Sequence, residues 1–352
     1  MPSGTSHNAV DGSSTQDFRA VQTPDVSRVR DEIHALTSTA GVYDLNTRAK
    51  IAITGNDRIR WLNGMVTNSI RDLQPGHGVY SFLLNPQGHI LGDFFAYQLG
   101  DRILVDTDSS QIEKILATFD HYIIMDDVEL ANVSDKIASV GVSGPAAKRV
   151  LATAGFDLSE LTPLQVHDLT WNQTEARVVG GEQPQFPRYE IWIAPERTAE
   201  VIRALQSGGA LLIGPEAREI YRIALGVPRY GQDIRERDLP QETEQQRALN
   251  FNKGCYIGQE IVERIRSRGS VHRKFTGFRM VGAPPAIGAR IQSGGKDVGE
   301  VTSSALVPAA SGDTAVALGY IRREVGTPGK EVQIEQSSAI VSDLPFVDLI
   351  DK

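Results

Sequence analysis

Cysteine is almost missing from this chain: one, Cys255, stands among 352 residues. A single thiol excludes an internal disulfide framework and a self-contained four-cysteine zinc or iron–sulfur site. Long apolar runs are missing too. Stretches such as Ala210-Leu211-Leu212-Ile213 fall far short of the ~20 residues a membrane helix needs, so no membrane partner is expected. Basic residues are outnumbered, with 36 Lys and Arg against 44 Asp and Glu and a net charge of −8. That balance argues against a nucleic-acid coat or a polybasic membrane binder. What is present suffices for folding. Hydrophobic residues make up 40% and charged residues 23%, and at roughly 150 residues per domain the length fits two to three domains.

Residues 1–25 read as a disordered tail of Ser, Thr, Asn, Gln, Asp and Gly, too poor in large apolar groups to offset its ordering entropy. The tail lacks the basic start and apolar run of a secretory signal. Its Asp11, Asp17 and Asp25 against Arg19 do not suit a transit peptide, so a cytoplasmic protein is expected. Beyond it, Val29, Ile33 and Leu36 predict a helix that Asp25 or Ser27 is placed to cap. Val79–Leu84 and Ile90–Leu99 predict two strands, and Asn85-Pro86-Gln87-Gly88 between them predicts a hairpin turn. Ile112, Ile115, Leu116 and Phe119 have helical spacing. Strand and helix patterns recur over 135–230, where Pro215 opens a helix and Gly226 closes it. From about 275, short β-rich pieces alternate with Gly, Pro and Ser turns, which suggests a small all-β barrel. The mixture predicts an α+β protein with mainly antiparallel sheets.

The most distinctive stretch is Lys253-Gly254-Cys255-Tyr256-Ile257-Gly258-Gln259-Glu260. It reads as a glycine-opened helix start. Taken alone, Cys255 is either a small buried filler or, beside Lys253 and a helix N-terminus, an activated thiolate. No local signature orients a histidine toward it, so a Cys–His protease has little support. A basic run follows, with Arg264, Arg266, Arg268, His272, Arg273 and Lys274. It is either a solvated face, paired through Glu260, Arg264 and Arg268, or a docking surface for an acidic partner, a folate polyglutamate or tRNA, nucleic acid being the least supported.

The octapeptide resembles the signature of the YgfZ family, folate-binding factors of iron–sulfur protein assembly or repair, which is related to the glycine cleavage T-protein, a tetrahydrofolate-dependent aminomethyltransferase. Further blocks resemble the same group in the same order: Thr54–Arg58 with Trp61–Gly64 and Val66-Thr67-Asn68, Leu83–Ile90, Ile223–Pro228 with Tyr230–Asp233, and Val298–Ser304 with Ala317–Tyr320. Together they span about residues 28–347. The resemblance implies a folate-binding region over 26–274, built of two intertwined ferredoxin-like units around a central opening, and a β-barrel over 275–347.

It also implies a folate site, for tetrahydrofolate or a derivative, and no metal. A pterin edge offers two neighbouring N–H donors, which suits a carboxylate; the glutamate tail suits Arg or Lys. By resemblance the pterin carboxylate is Glu190, in Tyr189-Glu190-Ile191, and Arg218 accompanies it. Asp93 is the candidate acid. Departures from the T-protein pattern occur at Gly92, where one acid of a pair is missing, at Ala224, Ser69 and Asp351. They favour a folate-binding accessory factor whose Cys255 meets iron–sulfur proteins or their assembly machinery, and not a classical aminomethyltransferase. The alternative is a tetrahydrofolate-dependent aminomethyltransferase or demethylase in which Asp93 acts on the reacting nitrogen.

Overall fold

The structure, a computed structural model, describes residues 26–183, 185–309 and 312–350. The expected tail at 1–25 and the departure at Asp351 lie outside the described residues. The chain opens with α1 (Val26–Ser38) and β1 (Gly41–Asp44), then leaves for another sheet. That sheet is made by β2 (Arg48–Thr54), α2 (Arg58–Met65), β3 (His77–Leu84), β4 (Ile90–Gln98), β5 (Ile103–Asp108), α3 (Ile112–His121) and β6 (Glu129–Asn132). Its strand order is β3-β4-β5-β2-β6.

The chain then returns to β1 with β7 (Ala138–Ser143), α4 (Ala147–Thr153), β8 (Val166–Trp171), β9 (Thr174–Gly180), β10 (Arg188–Ile193), α5 (Thr198–Ser207) and β11 (Leu211–Leu212). The resulting sheet is ordered β11-β1-β7-β10-β9-β8. This departure and return is what intertwines the two units. β1 and β11 pair in parallel, and the other pairs in these sheets are antiparallel.

Next come α6 (Pro215–Ala224) and α7 (Gln259–Arg268), followed by β12 (Arg273–Met280), β13 (Arg290–Ser293), β14 (Lys296–Val307), β15 (Thr314–Arg322), β16 (Glu331–Ile334), β17 (Ser337–Ser342) and α8 (Val347–Ile350). The six strands close a barrel in the order β12-β15-β14-β13-β16-β17. The α+β architecture with a C-terminal barrel is thus the one expected. Among the described residues, no helix is long and apolar enough to cross a membrane.

Each sheet is packed on its outer face by its own helices. Ile51, Ile53, Leu62, Phe94, Ile115 and Phe119 join the five-stranded sheet to α2 and α3. Val140, Val142, Val150, Ile191, Val201 and Leu205 join the six-stranded sheet to α4 and α5. Large side chains of this kind contribute ~1.5–3 kcal/mol each when fully buried. The inner faces meet through Tyr97 and Leu104 from one sheet and Val166, Val179 and Trp192 from the other. The faces that meet here also hold the cavity described next.

Candidate functional site

Between the sheets, beside the C-terminal half of α6, lies a cavity of about 270 Å³. Residues two apart on a strand share a face, so β4 sends Asp93, Phe95 and Tyr97 to the cavity and β10 sends Arg188 and Glu190. The two acids named from sequence thus come from different sheets and line one space.

Glu190 is held from behind. Its Oε1 accepts from Trp192 Nε1 at 2.7 Å and from Lys50 Nζ at 3.2 Å. Lys50 also donates to Asp106 Oδ1 at 2.7 Å and Ser139 Oγ at 2.9 Å, and Arg48 Nε reaches the same Asp106 oxygen at 3.0 Å. Burial alone raises the Glu190 pKa, but Lys50, Arg48 and Arg188, with a hydrogen bond from Ser139, outweigh it and hold the group at about 2. Glu190 is therefore an ionised acceptor. With Oε1 already receiving two donors, Oε2 is the oxygen with room for a ligand.

Asp93 is clamped on both oxygens. Tyr80 Oη donates to Oδ2 at 2.5 Å and Gln111 Nε2 to Oδ1 at 2.8 Å, while the Asp93 backbone N–H donates to Gln111 Oε1 at 3.0 Å. Burial and the neighbouring carboxylate push the Tyr80 hydroxyl well above its ordinary pKa, so it remains a proton donor to Asp93.

The arginines are arranged differently from expectation. Arg218 does not line this cavity. It belongs to a separate depression with Asp44 and Asn46 and donates to the Asp44 carbonyl at 2.8 Å. The physical reason is its position near the start of α6. One helical turn, about 5.4 Å of rise, separates it from Arg222, which does line the cavity. Arg222 in turn is occupied by Glu219, Asp233, Ser303 and the Val227 carbonyl. Protein acids, Glu219 and Asp233, thus match the Arg222 charge. Arg188, which no sequence pattern marked, lines the cavity two residues before Glu190 and donates to no described residue.

Cys255 is exposed and is not among the cavity-lining residues. It lies in an irregular segment before α7, whose N-cap is Gly258, not at a helix start. Lys253 is committed elsewhere: its ammonium donates to the carbonyls of Asn63 (2.7 Å), Val66 (2.6 Å) and Asn68 (2.7 Å). Those carbonyls sit at and just beyond the C-terminal end of α2, where a cation is favoured. Gly258 has φ +81°, and a Cβ there would stand 2.6 Å from the Asn85 carbonyl oxygen in the hairpin turn. Tyr256 is buried beside Phe82, Leu84 and Ile90. Gln259 begins α7, Glu260 is exposed, and Gly254 has open space around it. The octapeptide thus fastens α2 and the β3–β4 hairpin together.

The basic run is not a continuous free face. Arg273 donates to Asp238 and Glu242 and lies 4.7 Å from the Tyr320 ring centroid, and Arg266 lies over Phe251. Arg264 forms no ion pair with Glu260, and the Arg268 side chain lies outside the described residues.

The described departures that argued against a transferase, at Gly92, Ala224 and Ser69, also fall away from the cavity. Gly92 faces α3: a Cβ there would stand 3.2 Å from Gln111 Oε1 and 3.3 Å from Ile115. Ala224 is buried in the packing between α6, α8 and the barrel. Ser69 is buried and donates to Asp72 at 2.6 Å.

Residues 8–253 match the family described as the GCVT N-terminal domain, and residues 273–348 match the glycine cleavage T-protein C-terminal barrel domain. An aminomethyltransferase of Halothermothrix orenii is 28% identical over 90% of this chain and 91% of its own. One from Rubrobacter xylanophilus is 28% identical over 97% and 92%. The crystal structure of glycine cleavage system aminomethyltransferase T from Bartonella henselae superposes with a TM-score of 0.81 at 23% identity, covering 91% of this chain and 90% of that one. These relatives overturn the expectation of an iron–sulfur accessory factor that is not a classical aminomethyltransferase. The physical reason is that the described departures lie outside the cavity, where they remove no chemical group from it.

Proposed function

The chain belongs to the glycine cleavage T-protein family, and from that premise we propose that it is a tetrahydrofolate-dependent aminomethyltransferase. The observation that carries this is the convergence of Asp93 and Glu190, each held by its own donors, on one cavity. The residues present suit a folate. Glu190 offers a fixed, ionised oxygen to a pterin N–H. Phe95, Tyr97, Leu164 and Val179 offer apolar surface for the ring systems, and Arg188 offers a free cation to a tail carboxylate. Tetrahydrofolate, when bound, supplies the nitrogen pair that receives the one-carbon unit.

The rest is the work of this chain. Asp93, with one donor on each oxygen, keeps a lone pair on each for a proton from the reacting amine. Tyr80 and Gln111 fix its orientation, and the aromatic walls exclude water. Acid–base groups placed in this way contribute ~10²–10⁴-fold in rate. The resemblance of Lys253–Glu260 further suggests the YgfZ-like branch of the family. In this reading the octapeptide is a structural clasp and carries no separate activity, and the protein works in the cytoplasm.

The test is formation of methylene-tetrahydrofolate and ammonia from an aminomethyl group carried on a lipoylated protein. Turnover is expected, and Asp93→Asn is expected to lower kcat by ~10² or more while folate still binds. Absence of turnover in the wild type, with folate bound, would remove the proposal.

A further inference from the structure

We infer that Lys50 is a positioning residue for this cavity: its ammonium, set behind the wall, fixes the Glu190 carboxylate as an acceptor for the ligand. The inference deepens the folate reading and rests on Glu190 facing the ligand. Lys50 is fully buried in the middle of β2, opposite Asp106 on β5. Its three N–H groups meet three acceptors from three other strands: Asp106 on β5, Ser139 on β7 and Glu190 on β10. It therefore ties one sheet to the other directly beneath the site. Its Nζ lies 5.0 Å from the centroid of the Trp192 ring, whose N–H donates to the same Glu190 oxygen.

A lysine that merely filled this space would carry a desolvation penalty of several kcal/mol. Here two carboxylates match the charge, and they are not equivalent. Asp106 has a second cation hydrogen-bonded to it, Arg48, at 3.0 Å. Among the described residues, Glu190 has Lys50 as its only hydrogen-bonded cation. The other groups facing Glu190 are Arg188 on its own strand, Arg48 on β2, Ser139 on β7 and Tyr97 on β4. Burial alone raises the Glu190 pKa, and Lys50 is the foremost of the charges that bring it down to about 2. Lys50 does not itself line the cavity, so a ligand senses it through the two lining carboxylates it holds, Glu190 and Asp106, of which Asp106 keeps Arg48 when Lys50 is removed.

The experiment pairs Lys50→Met with two readouts: calorimetric binding of 5-formyltetrahydrofolate between pH 5 and 8, and carbon-13 NMR titration of the Glu190 carboxyl, assigned with Glu190→Gln. The wild-type carboxyl is expected to stay ionised throughout that range. In Lys50→Met its resonance should titrate ~4 pH units higher, near pH 6, so that the affinity ratio of wild type to variant grows ~10-fold from pH 8 to pH 5. Trp192→Phe, which removes the other donor and keeps the ammonium, should shift the titration less, and Lys50→Arg should hold it low.

An equal loss of affinity at every pH, or an unmoved Glu190 resonance, overturns the inference and leaves Lys50 a packing residue. Should Lys50→Met fail to fold, the Trp192→Phe and Lys50→Arg titrations decide by the same criterion. Should the wild type bind no folate, the folate reading fails, while the NMR titration still decides whether Lys50 governs Glu190.

Discussion

Asp93 gains its direction from two neighbours on different elements, Tyr80 on β3 and Gln111 just before α3. Tyr80→Phe removes one of the two donors and keeps the ring. Loss of a hydrogen bond to a charged group is worth ~1.5–3 kcal/mol, so kcat is expected to fall ~10-fold or more with little change in folate affinity. An unchanged kcat would show that Tyr80 has no part in orienting Asp93. Glu190→Gln presents an amide N–H where donors already converge and is expected to lose the same ~1.5–3 kcal/mol in folate binding, read by calorimetry. It also has a pH signature. The Glu190 pKa is depressed from 4.5 to about 2 in the fold, so its contribution to stability is present above about pH 4.5 and is lost as pH falls toward 2. The stability gap between wild type and Glu190→Gln in urea unfolding should therefore narrow between pH 6 and pH 3. Glu190 and Asp93 were legible because each sits in a short motif on a recognisable strand. Lys50, Trp192 and Arg188 were not. Lys50 owes its role to contacts between strands far apart in sequence, and in Arg48-Ala49-Lys50-Ile51 nothing local says that a lysine points inward to meet Glu190, 140 positions away; Trp192 is two residues beyond Glu190 on the same strand, but no pattern marks it as a donor.

At the scale of elements, the hairpin of β3 and β4 was readable from its turn chemistry: Asn85 receives the backbone N–H of Gly88 on its carbonyl and that of His89 on its side chain, and Gly88 has φ +79°. α6 was readable from Pro215 and the glycine after it. The β8–β9 hairpin was not, because its strands are half exposed and turn through Asn172 and Gln173, two non-glycine residues at positive φ. The octapeptide was visible as a motif, but the packing contacts it makes were not. Its lysine is bonded to three carbonyls at one end of α2. Lys253→Met leaves those acceptors without that donor, and stability is expected to fall by about 1–3 kcal/mol, measured by denaturant unfolding, while folate affinity stays within ~2-fold. Cys255→Ser, at an exposed position outside the cavity, is expected to change neither stability nor turnover measurably. A reversed pattern, with Cys255→Ser inactive and Lys253→Met fully stable, would return the motif to chemistry.

At the scale of the whole molecule, the barrel and the cavity are joined through one buried acid. Asp233 is fully buried. It accepts from Arg222 Nη1 at 2.8 Å, the Arg229 backbone N–H at 3.0 Å, Thr302 Oγ1 at 2.5 Å and Ser303 Oγ at 2.7 Å. One carboxylate thus links α6, the turn at Tyr230-Gly231-Gln232-Asp233 and barrel strand β14. The sequence placed that turn and the barrel in the same family pattern, but the join between them is a contact across about 70 residues that no local signal encodes. Asp233 is one of two acids that match the cavity-lining Arg222, and its removal leaves Arg222 with Glu219 alone and two barrel hydroxyls without their shared acceptor. Breaking a buried pair from one side costs ~3–5 kcal/mol, and Asp233→Ala is expected to lose about that much in denaturant unfolding. The loss should also be located. Amide protons of β14 and β15 should exchange faster in the variant, while those of β7 and β10 change little, because Lys50 and the inter-sheet core do not involve Asp233. Uniform acceleration through all three sheets would mean that the barrel and the two intertwined units unfold as one, and that Asp233 is an ordinary part of a single cooperative core.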